Sequence, residues 1–319
     1  MASTATIHSE TGAAVTQPLD AVARAGAVAG AGNKPARAKR KTPGIASRII
    51  SPFKNAISEL FNGSGMTVTV LRRSAAVVLG VLLWHYAVEH DFKFIISFEN
   101  VSSPTEVFEA FEKHLTSTKF YVHIGASLQR IVIAYGLAAV LGVVLGLAMG
   151  RSRLAYDLVL PYVEILRPIP AVAWIPLAIL MWPTEESSII YITFLGALFP
   201  IILSTVAGVQ QTPEVLVRAA RSLGARRLQI FRHVVLPAAL PSIATGLSVG
   251  MGVAWFSLLA GEIISGQYGI GYFTWTAYHL IKYADIIVGM LTIGLLGSVS
   301  TIAVQMATAP FLKWQHKSR

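Results

Sequence analysis

The sequence contains no cysteine. Disulfides, thiolate metal sites and cysteine nucleophiles are therefore excluded, and nothing follows about compartment. Charge is also scarce: 13% of the 319 residues are Asp, Glu, Lys or Arg, against 54% apolar, and the mean hydropathy is +0.61. A soluble domain carries about 25% charged residues, so this chain cannot clothe a globular surface with polar groups. It needs an apolar solvent, which a bilayer supplies. No G-x-x-x-x-G-K-[ST] phosphate loop occurs, so the chain is not expected to bind ATP itself. The eight histidines are scattered, and the nearest pair, His85 and His90, is five apart, a spacing that does not stack them on one helix face. With no H-x-x-x-H pair and no G-x-S-x-G elbow, neither a metal site nor a membrane enzyme has a foothold.

What is present is a basic excess, 26 Lys and Arg against 16 Asp and Glu. In a soluble protein this would suggest nucleic acid; here position matters more than the sum, and no nucleic-acid partner is expected. Residues 1–65 form an expected N-terminal tail. Its first 45 or so residues are rich in Ala, Gly, Ser and Thr and end in the cluster Lys34, Arg37, Lys39, Arg40 and Lys41. The stretch lacks a sustained apolar run, so no cleavable signal peptide is expected. It reads as a disordered cytoplasmic segment or as a basic arm touching anionic lipid.

Spans of roughly 20 apolar residues fall at 74–88 (with a start as early as 66), 124–149, 158–182, 188–209, 240–264 and 285–310. Residues 104–117 carry helical periodicity with charge on one face, as in a helix lying on the membrane surface. The expected fold is an all-α polytopic membrane protein with about six transmembrane helices, the membrane domain covering 66–312 and a short tail 313–319. The basic residues give the orientation. Arg72, Arg73, Arg151, Arg153, Arg218, Arg221, Arg226, Arg227, Arg232, Lys313, Lys317 and Arg319 fall on one side, and only Lys93, Lys113, Lys119 and Lys282 on the other. Both termini are thus expected in the cytoplasm.

The longest loop within the membrane domain, 210–240, is on the basic side. Thr212 can cap a helix with Pro213 at its first position and Glu214 in its first turn. Val215, Leu216, Ala219 and Ala220 lie on or near one stripe, and Gly224 ends the helix. A second helix is expected over about 226–235, stopped by Pro237 and Pro241. Two short amphipathic helices about a glycine make a docking surface; they could equally lie on lipid with their arginines at the headgroups.

The run RAARSLGARRLQIFRHVVLPAALP resembles the coupling-loop signature of binding-protein-dependent ABC importer permeases. Ala219, Ala220, Gly224, Leu236 and Pro237 match it. Arg218 stands at the family's acidic position, and the nearest upstream carboxylate is Glu214. The likeness extends over roughly 120–310, through Ser127-Leu128-Gln129-Arg130, LRPIPAVAWIPLAIL and GVAWFSLLAGEIISGQYGIGYF, and looks like the nitrate, sulfonate, taurine and bicarbonate group. The resemblance implies an ABC importer type I permease-like fold in the cell inner membrane, and two copies of the chain. It also implies a separate ATPase subunit that holds the ATP, and an extracytoplasmic solute-binding protein. No cofactor is implied on this chain, and the solute would be a small anion. A secondary transporter or channel working without ATP would also be polytopic and basic inside. It would not need the two-helix loop, and an inverted repeat that would favour it is not found.

Ionisable residues within spans are functional candidates by default. Arg130, Glu164, Arg167 and Glu262 qualify, with Glu164 and Arg167 placed three apart on one face where they can neutralise each other. Pro168, Pro170 and Pro176 break the third span, which suits a helix lining a water-filled route or one kinked against neighbours. Trp174 and Trp255 line that route or merely pack. Tyr268, Tyr272 and Phe273 read as an interface belt. Gly136, Gly142, Gly146, Gly150, Gly289, Gly294 and Gly297 permit close helix packing, in the bundle or between two copies.

Overall fold

The computed structural model describes residues 66–90 and 100–312. The tails expected at 1–65 and 313–319, and Lys93, lie outside the described residues. The chain divides into two units at Leu71. Of the first, Met66–Leu71 are helical and open α1. The second, from Arg72 onward, holds a bundle.

The order is α1 (Met66–Glu89), α2 (Pro104–Leu115), α3 (Thr118–Arg151), α4 (Arg153–Leu166), a 3₁₀ turn (Ala171–Trp174), α5 (Ile175–Met181) and α6 (Glu185–Gln210). Then come α7 (Glu214–Ser222), α8 (Arg227–Ile230), a π turn (Phe231–Val235), α9 (Leu236–Ser265), α10 (Ile270–His279), α11 (Tyr283–Thr308) and a closing 3₁₀ turn (Ala309–Leu312). The described residues contain no strand, and the all-α polytopic expectation holds. Among the described residues, five helical stretches are long and apolar enough to cross a membrane, and six if a bent pair counts as one span.

Local chemistry sets the boundaries. Ser103 and Glu106 form a capping box at the start of α2, the hydroxyl accepting from the Glu106 amide at 3.3 Å and the carboxylate from the Ser103 amide at 3.2 Å. The Pro-Thr-Glu-Glu stretch at 183–186 starts α6: Thr184 accepts the Ser187 amide at 3.2 Å, and two acids occupy the first turn. The third expected span is broken. Its halves, 153–166 and 171–181, bend by 86° across the segment containing Pro168 and Pro170. Pro176 sits harmlessly in the first turn of α5.

Glycines fix how the crossings pair. A Cβ at Gly142 would touch Ile201 at 2.8 Å, at Gly146 Thr205 at 2.5 Å, and at Gly150 Val209 at 2.5 Å. Positions rise together on both helices, so α3 and α6 run parallel, and 152–184 must carry the chain back across between them. The bent pair therefore completes one crossing. On the other face of α6, Gly208 meets Ser242 and Gly196 meets Ser257, so α9 is antiparallel to α6. Ile131, Ala138, Ile189, Ala197, Ile201, Met251, Ala254, Trp255 and Leu258 form the core where α3, α6 and α9 meet. The stripe Gly142, Gly146 and Gly150 thus faces the bundle of its own chain. Gly136 and Gly294, by contrast, have open space where a side chain would stand. Gly146→Val is expected to prevent close packing of α3 on α6. Its Cβ would also lie 2.9 Å from the Ile202 carbonyl, which cannot move aside. Overpacking of this kind costs about 1–3 kcal/mol or more, and loss of monodisperse protein after detergent extraction is the measurement.

Candidate functional site

At the end of the bundle where α6 begins and α9 finishes, three helices bring charges together. Arg130 of α3 is 2% exposed and Glu262 of α9 is 1% exposed. The guanidinium Nη1 donates to Glu262 Oε1 at 2.9 Å and to the Tyr268 carbonyl at 2.6 Å. Nε donates to Glu186 Oε2 at 2.7 Å, and Nη2 to Glu186 Oε1, making a bidentate fork with a carboxylate that is itself 59% exposed. Ser127, one turn before Arg130, donates to Glu262 at 2.7 Å and accepts the Ile270 amide at 2.9 Å. Glu262 also takes the Gly271 amide at 2.9 Å, so a buried carboxylate sits at the N-terminus of α10, where the helix dipole favours it. His123 accepts the Gly269 amide at 3.2 Å. Gly269, at φ 122, is held so close to the Glu262 carboxylate that any Cβ would overlap it.

The sequence-derived candidates separate in space. Arg130 and Glu262 are partners in this network. Trp255 packs in the core. Arg167, itself exposed, and the half-buried Trp174 border an open cavity of about 330 Å³ at the break between α4 and α5, against α6 and α9. Glu164 is exposed on α4, and among the described residues it forms no ion pair with Arg167. The expected neutralising pair is thus corrected. Helix α4 ends at Leu166 and the chain turns at Pro168, so Arg167 is carried to the cavity instead. Phe273, expected in an interface belt, packs edge-on against Phe120 in a small core with Val107, Ile270 and Val288. Glu186 does not stand out in the sequence; an acid in a helix's first turn is the signal available for it.

At the opposite end lies the 210–240 segment. Helix α7 ends in a Schellman arrangement: Gly224, at φ 80, donates to the Arg221 carbonyl at 3.0 Å and Ala225 to that of Ala220 at 3.1 Å. Val215, Leu216, Ala219 and Leu223 are all exposed, Leu223 by 88%. Glu214 and Arg218 make an exposed pair at 3.6 Å, worth little in water. The Arg151 guanidinium lies 4.9 Å over the Phe231 ring, tying the end of α3 to this segment. Two expectations change here. Thr212 caps nothing: Pro213 holds the cap position and the buried Thr212 hydroxyl has no partner. Pro237 does not stop the second helix. The π turn widens the coil so that the Leu236 amide bonds the Phe231 carbonyl five residues back, and Pro237 enters in the first turn of α9. Residues 227–265 are therefore one continuous rod, running from the docking segment to the Glu262 network.

Residues 138–310 match the family described as binding-protein-dependent transport system inner membrane component. The chain belongs to that family. It is a multi-pass inner-membrane permease, and the matched range holds the bent span, the 210–240 segment and Glu262 but not Arg130. Among its relatives is a nitrate import permease of Synechocystis sp., 31% identical over 253 residues, 76% of this chain and 88% of the relative. A taurine transport system permease of Escherichia coli is 34% identical over 60% of this chain and 70% of its own. A bicarbonate transport system permease of Synechococcus elongatus is 36% identical over 54% and 62%. ABC permease subunits of this family are transport proteins and not themselves enzymes.

Proposed function

We propose that this permease is the membrane subunit of an ATP-driven importer of a small anion of the nitrate, bicarbonate or sulfonate class. A separate ATPase subunit would hold the ATP and dock on residues 210–240, with Glu214, Arg218, Ala219, Ala220, Gly224, Leu236 and Pro237 in the coupling segment. A second copy would complete the pore and an extracytoplasmic binding protein would deliver the solute. Both termini would lie in the cytoplasm, with 1–65 and 313–319 as tails outside the membrane domain 66–312.

The observation carrying the reading is the rod. Helix α7 and the α8 turn expose apolar and basic side chains together, and the α8–α9 helix is unbroken through the bundle. A push on the docking segment is then transmitted by a stiff element, as a two-state mechanism driven by differential nucleotide contacts requires.

The test reconstitutes the chain in vesicles with a phosphate-loop ATPase and an extracytoplasmic binding protein that co-purify with it. Uptake is expected to require ATP and all components; accumulation by the chain alone would sink the proposal in favour of a secondary transporter or channel. Leu223→Glu with Leu228→Glu, both exposed positions, should release the ATPase on co-purification while the chain still inserts.

A further inference from the structure

Helix α10 carries apolar side chains on two faces, and the chain covers one of them. Ile270, Phe273 and Ala277, at steps of three and four, turn inward: Ile270 and Ala277 are buried, and Phe273 packs on Phe120. Trp275, Tyr278 and His279 recur at the same steps on the outward side and are exposed. They form one aromatic cluster, Trp275 stacked on Tyr278 at 5.5 Å between ring centroids and edge-on to His279 at 4.8 Å. A helix apolar all round belongs in an apolar medium on every side. The turn that follows sharpens the point. Ile281 donates to the Tyr278 carbonyl at 3.1 Å and Lys282 to that of Ala277 at 2.9 Å, a Schellman turn in which Ile281 holds the left-handed position at φ 57. Glycine is the usual residue there, and for a β-branched side chain the conformation is an outlier. Ile281 is nevertheless 70% exposed, and Leu280 beside it is exposed too. Packing within the chain therefore does not offset the strain.

We propose that α10 and its closing turn are an interfacial anchor seated on a phospholipid surface. The Trp275, Tyr278 and His279 cluster lies in the headgroup layer, Leu280 and Ile281 dip toward the acyl chains, and the exposed Lys282 reaches the phosphates. Helix α10 joins the crossing that ends with α9 to the crossing that opens with α11, which puts it at the membrane boundary. Trp and Tyr concentrate at that boundary because each has an apolar body and a polar tip, and a lysine extends its ammonium to water on an apolar stem. Burial of Ile281 in lipid supplies the offset that the chain lacks. The anchor has a mechanical consequence. Glu262 holds the first turn of α10 through the Gly271 amide, and Ser127 holds it through the Ile270 amide, so a helix seated among headgroups fixes the depth of the end of α9. The anchor needs only a bilayer, and it stands or falls separately from the solute and the ATPase.

With no cysteine in the sequence, single thiols report on this face directly. Leu280→Cys and Ile281→Cys, each carrying a nitroxide, are placed in the full-length chain in vesicles of phosphatidylethanolamine and phosphatidylglycerol with no partner subunit. Spin relaxation is measured with oxygen, which concentrates among acyl chains, and with a nickel chelate, which stays in water. The oxygen effect is expected to exceed the nickel effect several-fold at the two positions. Trp275→Glu with Tyr278→Glu, both on the exposed face, should invert that ratio in the Ile281→Cys chain by lifting the turn into water. Dominant nickel relaxation without the glutamates would show that the patch faces water. Weak relaxation by both agents would show that protein, such as a second copy of the chain, covers it. A ratio that the paired glutamates leave unmoved would show that the aromatic cluster does not seat the helix. Each of these three results overturns the anchor.

Discussion

Arg130→Met is expected to lower thermal stability in detergent more than any other single change on the network, and Glu262→Gln added to it is expected to restore a large part of the loss. The substitution leaves Glu262, 1% exposed, as a carboxylate with no cation. Removing one partner of a buried ion pair costs about 3–5 kcal/mol, a large share of a folded domain's total of about 5–15 kcal/mol. Glu186 loses the same guanidinium but is 59% exposed and can turn to solvent, so it contributes little to the penalty. A glutamine at 262 carries no charge. Its amide oxygen still accepts from Ser127 and from the Gly271 amide, the bonds that hold α10 in place. The double variant should therefore melt well above Arg130→Met alone. If the two losses simply add, the charge account is wrong and Arg130 matters only as a shape that fills space.

The way these charges meet marks the limit of what the sequence makes legible. The apolar spans, the capped helix over Pro104–Leu115 and the proline break follow from local rules of hydropathy, capping and backbone chemistry, and each needs only a window of neighbours. The start of helix α10 escapes a reading of Tyr268, Tyr272 and Phe273 as an interface belt. Its start is set instead by a carboxylate on another helix and a backbone at φ 122. Arg130 stood out as a charge in a span, yet its partners lie 56 and 132 residues away, a distance no periodicity spans. The glycine stripe on α3 was visible as spacing, but the facing glycines Gly196, Gly208, Gly246 and Gly250 that seat α6 against α9 were not. Those four are not evenly spaced on one helix. Two lie on each helix, and only the antiparallel register brings them to one seam.

Replacing Gly224 tests the docking segment without touching the core. The residue sits at φ 80, where a side chain costs an ordinary residue roughly 1–2 kcal/mol, and nothing lies within 4 Å of the position a Cβ would take. The penalty is thus conformational rather than a collision, and it grades by residue type. Asn visits this region readily, Ala less so, and β-branched Val least. Relief comes by breaking the two Schellman bonds, from Gly224 to Arg221 and from Ala225 to Ala220, which swings α7 away from the rod formed by α8 and α9. ATP-driven uptake is expected to fall in the order Gly, Asn, Ala, Val and to reach background in Gly224→Val. Insertion and extraction should stay normal, because no residue of α7 is buried. Measured initial rates for Gly224→Val near those of the unchanged chain would show that the angle between α7 and the rod carries no part of the drive. An equal loss across all three variants would point to a contact made by the glycine's own backbone with a partner rather than to its conformation.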